Sequence, residues 1–154
     1  MRFKYNFSAN TGYLWKELPF LDRLAMAKKY NFEIVEFHDE PYKENLKELQ
    51  FVLSTLDLKV NGMNVRMGET FGCAAISKDT KKYEHDISEA VKIAMELKIP
   101  AIHVMSGITT ADDADKTFIS SLEYALKNSS QIILIEPVCN CLLYTSPSPR
   151  DVEE

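Results

Sequence analysis

Ile133-Leu134-Ile135-Glu136-Pro137 is an apolar run that stops on a carboxylate, and the proline after it forbids the strand to continue. In parallel sheets the carboxyl ends of strands are where chemistry is placed. Glu136 is therefore the first candidate for catalysis. Working outward from it, the same pattern recurs upstream. Short β-rich runs lie at 3–7, 33–37, 60–65, 101–105 and 132–136. Between them the apolar spacing is helical. Leu46, Leu49, Leu53 and Leu56 form one stripe, Ile87, Ala90, Val91, Ala94 and Leu97 a second, and Phe118, Leu122, Ala125 and Leu126 a third. The first helix carries Phe20, Leu21, Leu24 and Ala25, with Pro19 suited to its first turn.

Helix ends are marked as well. Thr110 reads as an N-cap, with Asp112 and Asp113 placed for the positive end of the helix dipole. Asn31 suits a left-handed helix terminus. Strand–helix alternation with helix-length connections predicts right-handed βαβ units and a parallel sheet. Ser8-Ala9-Asn10-Thr11-Gly12 does not supply the GxGxxG of a dinucleotide fold, and GxxxxGK[ST] is absent from the sequence. Two architectures fit: a flavodoxin-like open sheet and the first part of a (β/α)8 barrel. Polar residues end every predicted strand: Asn10, then Glu36 and His38, Asn64 and Arg66, His103 and Ser106, and Glu136. A polar group from each strand favours the barrel, whose catalytic rim is built that way. An open sheet would gather such groups near one switch point.

The bulk numbers bound the rest. At 154 residues the length suits one domain, and 45% hydrophobic with 27% charged residues is a globular composition. A net charge of -5 argues against a broad nucleic-acid face, and the run of about 20 apolar residues that a membrane span needs is missing. Met1-Arg2-Phe3-Lys4-Tyr5 has no apolar signal core, and three cysteines are too few for a disulfide framework, so a cytoplasmic protein is expected.

Five segments, in order, carry a family likeness: Pro19-Phe20-Leu21-Asp22-Arg23, Val35-Glu36-Phe37, Met63-Asn64-Val65-Arg66-Met67-Gly68, Ile102-His103-Val104-Met105-Ser106-Gly107 and Leu134-Ile135-Glu136-Pro137. Over residues 3–138 the chain resembles hydroxypyruvate isomerase, of the xylose isomerase-like TIM barrels. The resemblance implies interconversion of hydroxypyruvate and tartronate semialdehyde, an aldose–ketose type isomerisation. Two glutamates, after the fifth and eighth strands, would move the proton. It further implies a divalent metal, magnesium or manganese. Glu136 matches the first glutamate and is also the expected metal ligand. The second glutamate and the later ligands have no counterpart in this sequence.

After Pro137 the likeness stops. Cys141-Leu142-Leu143-Tyr144-Thr145-Ser146-Pro147-Ser148-Pro149-Arg150-Asp151 resembles translated sequencing-adapter read-through, or else a Pro/Ser-rich tail that would not fold. The expected organisation is thus a partial barrel over 1–138 and a non-native or disordered tail over 139–154.

Moving a proton between adjacent carbons needs a base at the carbon acid and a group that stabilises the enediolate oxygens. Partial desolvation at a barrel mouth tunes a carboxylate such as Glu136 for this work, while the structural alternative is a helix cap or a surface ion pair. The implied substrate is a small hydroxy-keto acid. Arg66 is the candidate partner for its carboxylate, against a plain salt bridge to Glu69 or Glu36. Asn64 and Asn10 are candidate hydrogen-bonding groups or structural turns, and His103 a substrate contact or a core histidine. Gly68 through Ala75 reads as a mobile loop over the mouth. His38, His85 and His103 show no zinc spacing. Cys139-x-Cys141 straddles the point where the likeness ends and is not evidence for a metal site. Sugar 3-epimerisation is the rival activity within the superfamily, and a DNA phosphodiesterase would need more histidines. A five-strand piece cannot close a barrel, so the chain alone is expected to be inactive, with open edges favouring a homo-oligomer.

Overall fold

The computed structural model describes residues 6–135. Five strands, β1 (Ser8–Asn10), β2 (Ile34–Phe37), β3 (Lys59–Asn64), β4 (Ala101–Val104) and β5 (Ile132–Ile135), alternate with four helices. These are α1 (Phe20–Lys29), α2 (Leu46–Thr55), α3 (Thr80–Leu97) and α4 (Ala114–Asn128). Every strand pair is parallel, and the order across the sheet is β1-β2-β3-β4-β5. This order decides between the two architectures. A doubly wound sheet reverses direction and puts a strand outside β1, whereas a barrel adds each strand beside the last. Each helix packs on its successor, α1 on α2, α2 on α3 and α3 on α4, so the helices share one face of the sheet. The described fold is therefore part of a (β/α)8 barrel.

The core lies between that face and the helices. Ala9, Val35, Phe37, Met63, Val65, Ile102 and Val104 point outward from the strands and are buried. Phe20 meets Phe37 edge to face at 5.1 Å. Leu24, Leu49, Ile87 and Ile102 are fully buried, and each contributes about 1.5–3 kcal/mol relative to exposure. Along β3, Val60 and Met63 both face the helices although they are three residues apart. The register shift between Val35 and Glu36 explains this, because Val35 pairs with Val60 while Glu36 pairs with Gly62. Asn61 is the extra residue of a bulge, and the alternation resumes beyond it.

Several expectations are corrected. The expected first run, 3–7, lies largely outside the described residues; the strand described is β1, the three small residues Ser8-Ala9-Asn10, defined by its pairing with β2. Pro19 precedes α1 instead of sitting inside its first turn. α4 begins at Ala114, not after Thr110, because the Ala114 N–H closes a turn on the Ala111 carbonyl at 3.1 Å. Leu126 is exposed, and Ser121 takes the buried position on that helix. Asn31 is left-handed as expected, with φ 64°. A cap not anticipated is Asn45, whose Oδ1 accepts from the N–H groups of Lys47 and Glu48 at 3.0 and 3.2 Å. Among the described residues no helix is long and apolar enough to cross a membrane.

Candidate functional site

The strand ends at the carboxyl edge bring the candidates together. Strand pairing sets Asn10 beside Glu36, Glu36 beside Gly62, and Asn64 beside His103. With a period of two, these side chains share the face turned away from the helices. His38, one residue beyond β2, follows Glu36 by two and belongs to the same row. Glu136 follows directly on Ile135 and lies outside the described residues, as do Cys139, Cys141 and the tail.

The four loops at this edge are linked in series. Arg23 of α1 donates from Nε to the Leu18 carbonyl at 2.9 Å and from Nη1 to the Thr11 carbonyl at 3.0 Å. The same Nη1 reaches Glu40 Oε1 at 3.3 Å, so the first loop is tied to the second. The second loop is tied to the third through Asp39, whose carboxylate accepts the Met67 N–H at 3.1 Å, and through Tyr42, whose hydroxyl donates to the Asn64 carbonyl at 2.9 Å. Burial is the main influence on Asp39 and raises its pKa above the usual 3.8, outweighing the Met67 hydrogen bond. Burial likewise raises the Tyr42 phenol.

The third loop is fastened to the fourth, which corrects the expectation of a mobile flap. Gly72 bridges Ser106, the Ala74 and Ala75 N–H groups donate to the Met105 and Ser106 carbonyls at 3.3 and 2.7 Å, and Ile108 N–H donates to the Thr70 carbonyl at 3.0 Å. Cys73, Ala74, Ala75 and Ile76 are buried beneath it. Gly72 has φ +96°, and a Cβ there would strike the Met105 carbonyl. Burial raises the Cys73 thiol pKa despite Lys82, whose Nζ lies 3.8 Å from Sγ, and this disfavours the thiolate a nucleophile needs.

Each candidate has a definite environment. Asn10 Oδ1 accepts the Gly12 N–H at 3.0 Å, the structural turn that was the alternative to substrate binding. Asn64 is buried, and its Nδ2 faces Met67 Sδ at 3.4 Å. Arg66 is paired, but not with Glu69 or Glu36. Its Nε and Nη2 both lie 3.0 Å from Glu89 Oε2, its Nε is 3.9 Å from Asp86, and its guanidinium sits 4.2 Å over the Tyr42 ring. His103 is half-buried on β4, and its carbonyl accepts the Val65 N–H at 2.9 Å. His85 is an exposed residue of α3, 3.4 Å from Glu89.

Sequence reasoning missed two glycines. A Cβ on Gly12 would clash with the His38 ring, and one on Gly62 would lie 3.3 Å from Glu36 Oε1. The two inward side chains of β2 and its extension thus each lean over a glycine, one toward β1 and one toward β3. Among the described residues no group of three or more His, Cys, Asp or Glu side chains could hold a metal ion.

Known proteins share this architecture. The chain belongs to the xylose isomerase-like TIM barrel family, which matches residues 24–153. It is 33% identical over 127 residues to a 2-oxo-tetronate isomerase of Haemophilus influenzae, covering 77% of this chain and 49% of that protein. It is 30% identical over 142 residues to a Caenorhabditis elegans protein provisionally named hydroxypyruvate isomerase, covering 85% and 54%. The chain thus spans about half the length of the curated relatives it matches. Among solved structures, an AP endonuclease, family 2, from Brucella melitensis superposes with TM-score 0.81 at 29% identity, over 86% of this chain and 55% of that one. A D-psicose 3-epimerase from Clostridium cellulolyticum H10 shares the fold, with TM-score 0.65 at 13% identity, over 80% and 48%.

Proposed function

We propose that the complete protein containing this chain is an isomerase of short hydroxy-keto acids. It would interconvert hydroxypyruvate and tartronate semialdehyde, or the four-carbon homologue, by glutamate-mediated proton transfer through an enediolate. One observation carries the reading. Asn10, Glu36, His38, Asn64 and His103 gather at one sheet edge, in a chain at least 30% identical to isomerases of such acids over most of its length.

In this reading Glu136 is the base at the carbon acid, and Asn10, Asn64, Arg66 and His103 are the substrate-binding groups. Glu89 occupies Nε and Nη2 of Arg66, so Nη1 is the edge that remains for a carboxylate. A divalent ion would act as Lewis acid toward the enediolate oxygens. The described residues do not by themselves make a site for one. The tail over 139–154 is taken as no part of the barrel. A second half-barrel would supply the remaining strands and the second glutamate, and the open edges of β1 and β5 would favour association of copies if it were absent. A cytoplasmic location goes with the low cysteine count.

The test is turnover by the full-length enzyme. Conversion of hydroxypyruvate, without epimerisation of a ketohexose, is the expected result. Epimerisation without conversion would replace this reading with that of a sugar 3-epimerase, an activity found among proteins of the same fold.

A further inference from the structure

At the edge opposite the strand ends, a groove of about 820 Å³ runs between α2 and α3. Its lining takes in Ile34 at the start of β2, Lys59 and Val60 at the start of β3, and Pro100 just before β4. β3 is the middle strand of the sheet, and further strands would join at β1 or β5, so closure of the barrel leaves the groove where it is. The floor is apolar, with Leu53, Leu58, Val60 and Leu97 all buried. Phe51 of α2 lines the same groove and is 70% exposed, a large apolar surface left without a cover.

The charge around this floor has one sign. The sequence holds 23 acidic and 18 basic residues, yet Lys47, Lys59 and Lys98 line the groove and, among the described residues, no aspartate or glutamate does. None of the three lysines is in an ion pair among the described residues. Helix C-termini ordinarily repel an anion, and α2 and α3 both end here. Their terminal carbonyls are already occupied, however. Leu53 O accepts the Leu58 N–H at 3.0 Å, and Ala94 O accepts the Ile99 N–H at 2.8 Å. The cations are also spread out. Lys47 is in the first turn of α2, whereas Lys59 and Lys98 follow the ends of α2 and α3, about 10 Å further along the helix. A small monocarboxylate would meet only one end. The chain's own first residues, Met1-Arg2-Phe3-Lys4-Tyr5, carry cations and no carboxylate, so they have the wrong charge. We propose that this groove binds an acidic segment of a partner protein, with carboxylates at the two ends and a leucine or phenylalanine side chain on the apolar floor. A contact at this edge leaves free the opposite one, where barrels place their chemistry, and the proposal does not depend on the reaction assigned above.

The test uses the full-length protein and the fluorescence anisotropy of a labelled peptide of glutamates interspersed with leucine and phenylalanine. One control peptide has serine in place of the apolar residues, and the other has lysine in place of the glutamates. The first peptide is expected to bind with Kd below about 100 μM, and both controls at least about 10-fold more weakly. Phe51→Ala, and Lys59→Glu combined with Lys98→Glu, each weaken the first peptide by about 10-fold or more, and added salt weakens it further. The three substituted side chains are exposed, so the variants' thermal unfolding should overlay the wild type. No binding of the first peptide, equal binding of the serine peptide, or variants without effect would overturn the proposal. So would a groove filled by a second copy of the chain, seen in sedimentation as a dimer that Phe51→Glu dissociates and that takes up no peptide.

Discussion

Replacing Arg23 with alanine tests the linkage of the loops at the carboxyl edge. Four contacts disappear. The bonds to the Leu18 and Thr11 carbonyls, at 2.9 and 3.0 Å, are short and partly buried, and hydrogen bonds from a charged donor contribute about 1.5–3 kcal/mol each. The Lys16 contact, at 3.4 Å and exposed, adds almost nothing. The pair with Glu40 has both side chains 15% exposed and adds about 0.5–1 kcal/mol. Water reaching the freed carbonyls returns part of this, and the net loss comes to about 3 kcal/mol. In equilibrium urea unfolding, with a slope of about 1–3 kcal/mol per molar, the midpoint then falls by about 1–3 M. Arg23→Lys restores about a third of the loss, since a compact ammonium cannot span Leu18, Thr11 and Glu40 at once. A loss below about 0.5 kcal/mol, or full recovery by lysine, would refute the reasoning.

Other substitutions probe other links. Asp39→Asn keeps an acceptor for the Met67 N–H but removes a charge that burial disfavours. Because the folded-state pKa of Asp39 is raised, its stabilising contribution is full below pH 3.8 and is lost as pH rises through the folded value. The variant's urea midpoint should gain on the wild type over that rise, and parallel curves would contradict the account. Gly72→Ala combines a left-handed φ with a clash on Met105. It should cost about 2 kcal/mol or more and abolish hydrogen-exchange protection at Ala74 and Ala75. Ser121→Ala strips the buried Ala74 carbonyl of its 2.7 Å donor and should cost about 1–3 kcal/mol by thermal unfolding.

The alternation of elements was legible because α/β units carry two distinct apolar periods, and β2 through β5 fall within a residue or two of their expected places. β1 was not legible. Ser8-Ala9-Asn10 has no apolar signature, and only its pairing with Ile34, Val35 and Glu36 makes it a strand. The start of α4 was misplaced because a backbone turn on Ala111, not a side-chain cap, leads into that helix. At the site, strand-end position picked out Asn10, Glu36, Asn64 and His103. It did not show which of them are spent. That depends on partners brought in by the fold, such as Glu89, 23 residues from Arg66. The glycines opposite His38 and Glu36 were equally hidden, since matching Gly62 to Glu36 requires the bulge at Asn61.

In the proposed reaction the complete protein moves a proton between adjacent carbons of a hydroxy-keto acid with Glu136 as base. The direct measurement is NMR of hydroxypyruvate in D2O with the full-length enzyme, wild type and Glu136→Gln. Deuterium is expected to enter C3 and tartronate semialdehyde to accumulate with the wild type, and neither with a folded Glu136→Gln enzyme. Exchange at the wild-type rate in Glu136→Gln, or product formation without any exchange by the wild type, would contradict it.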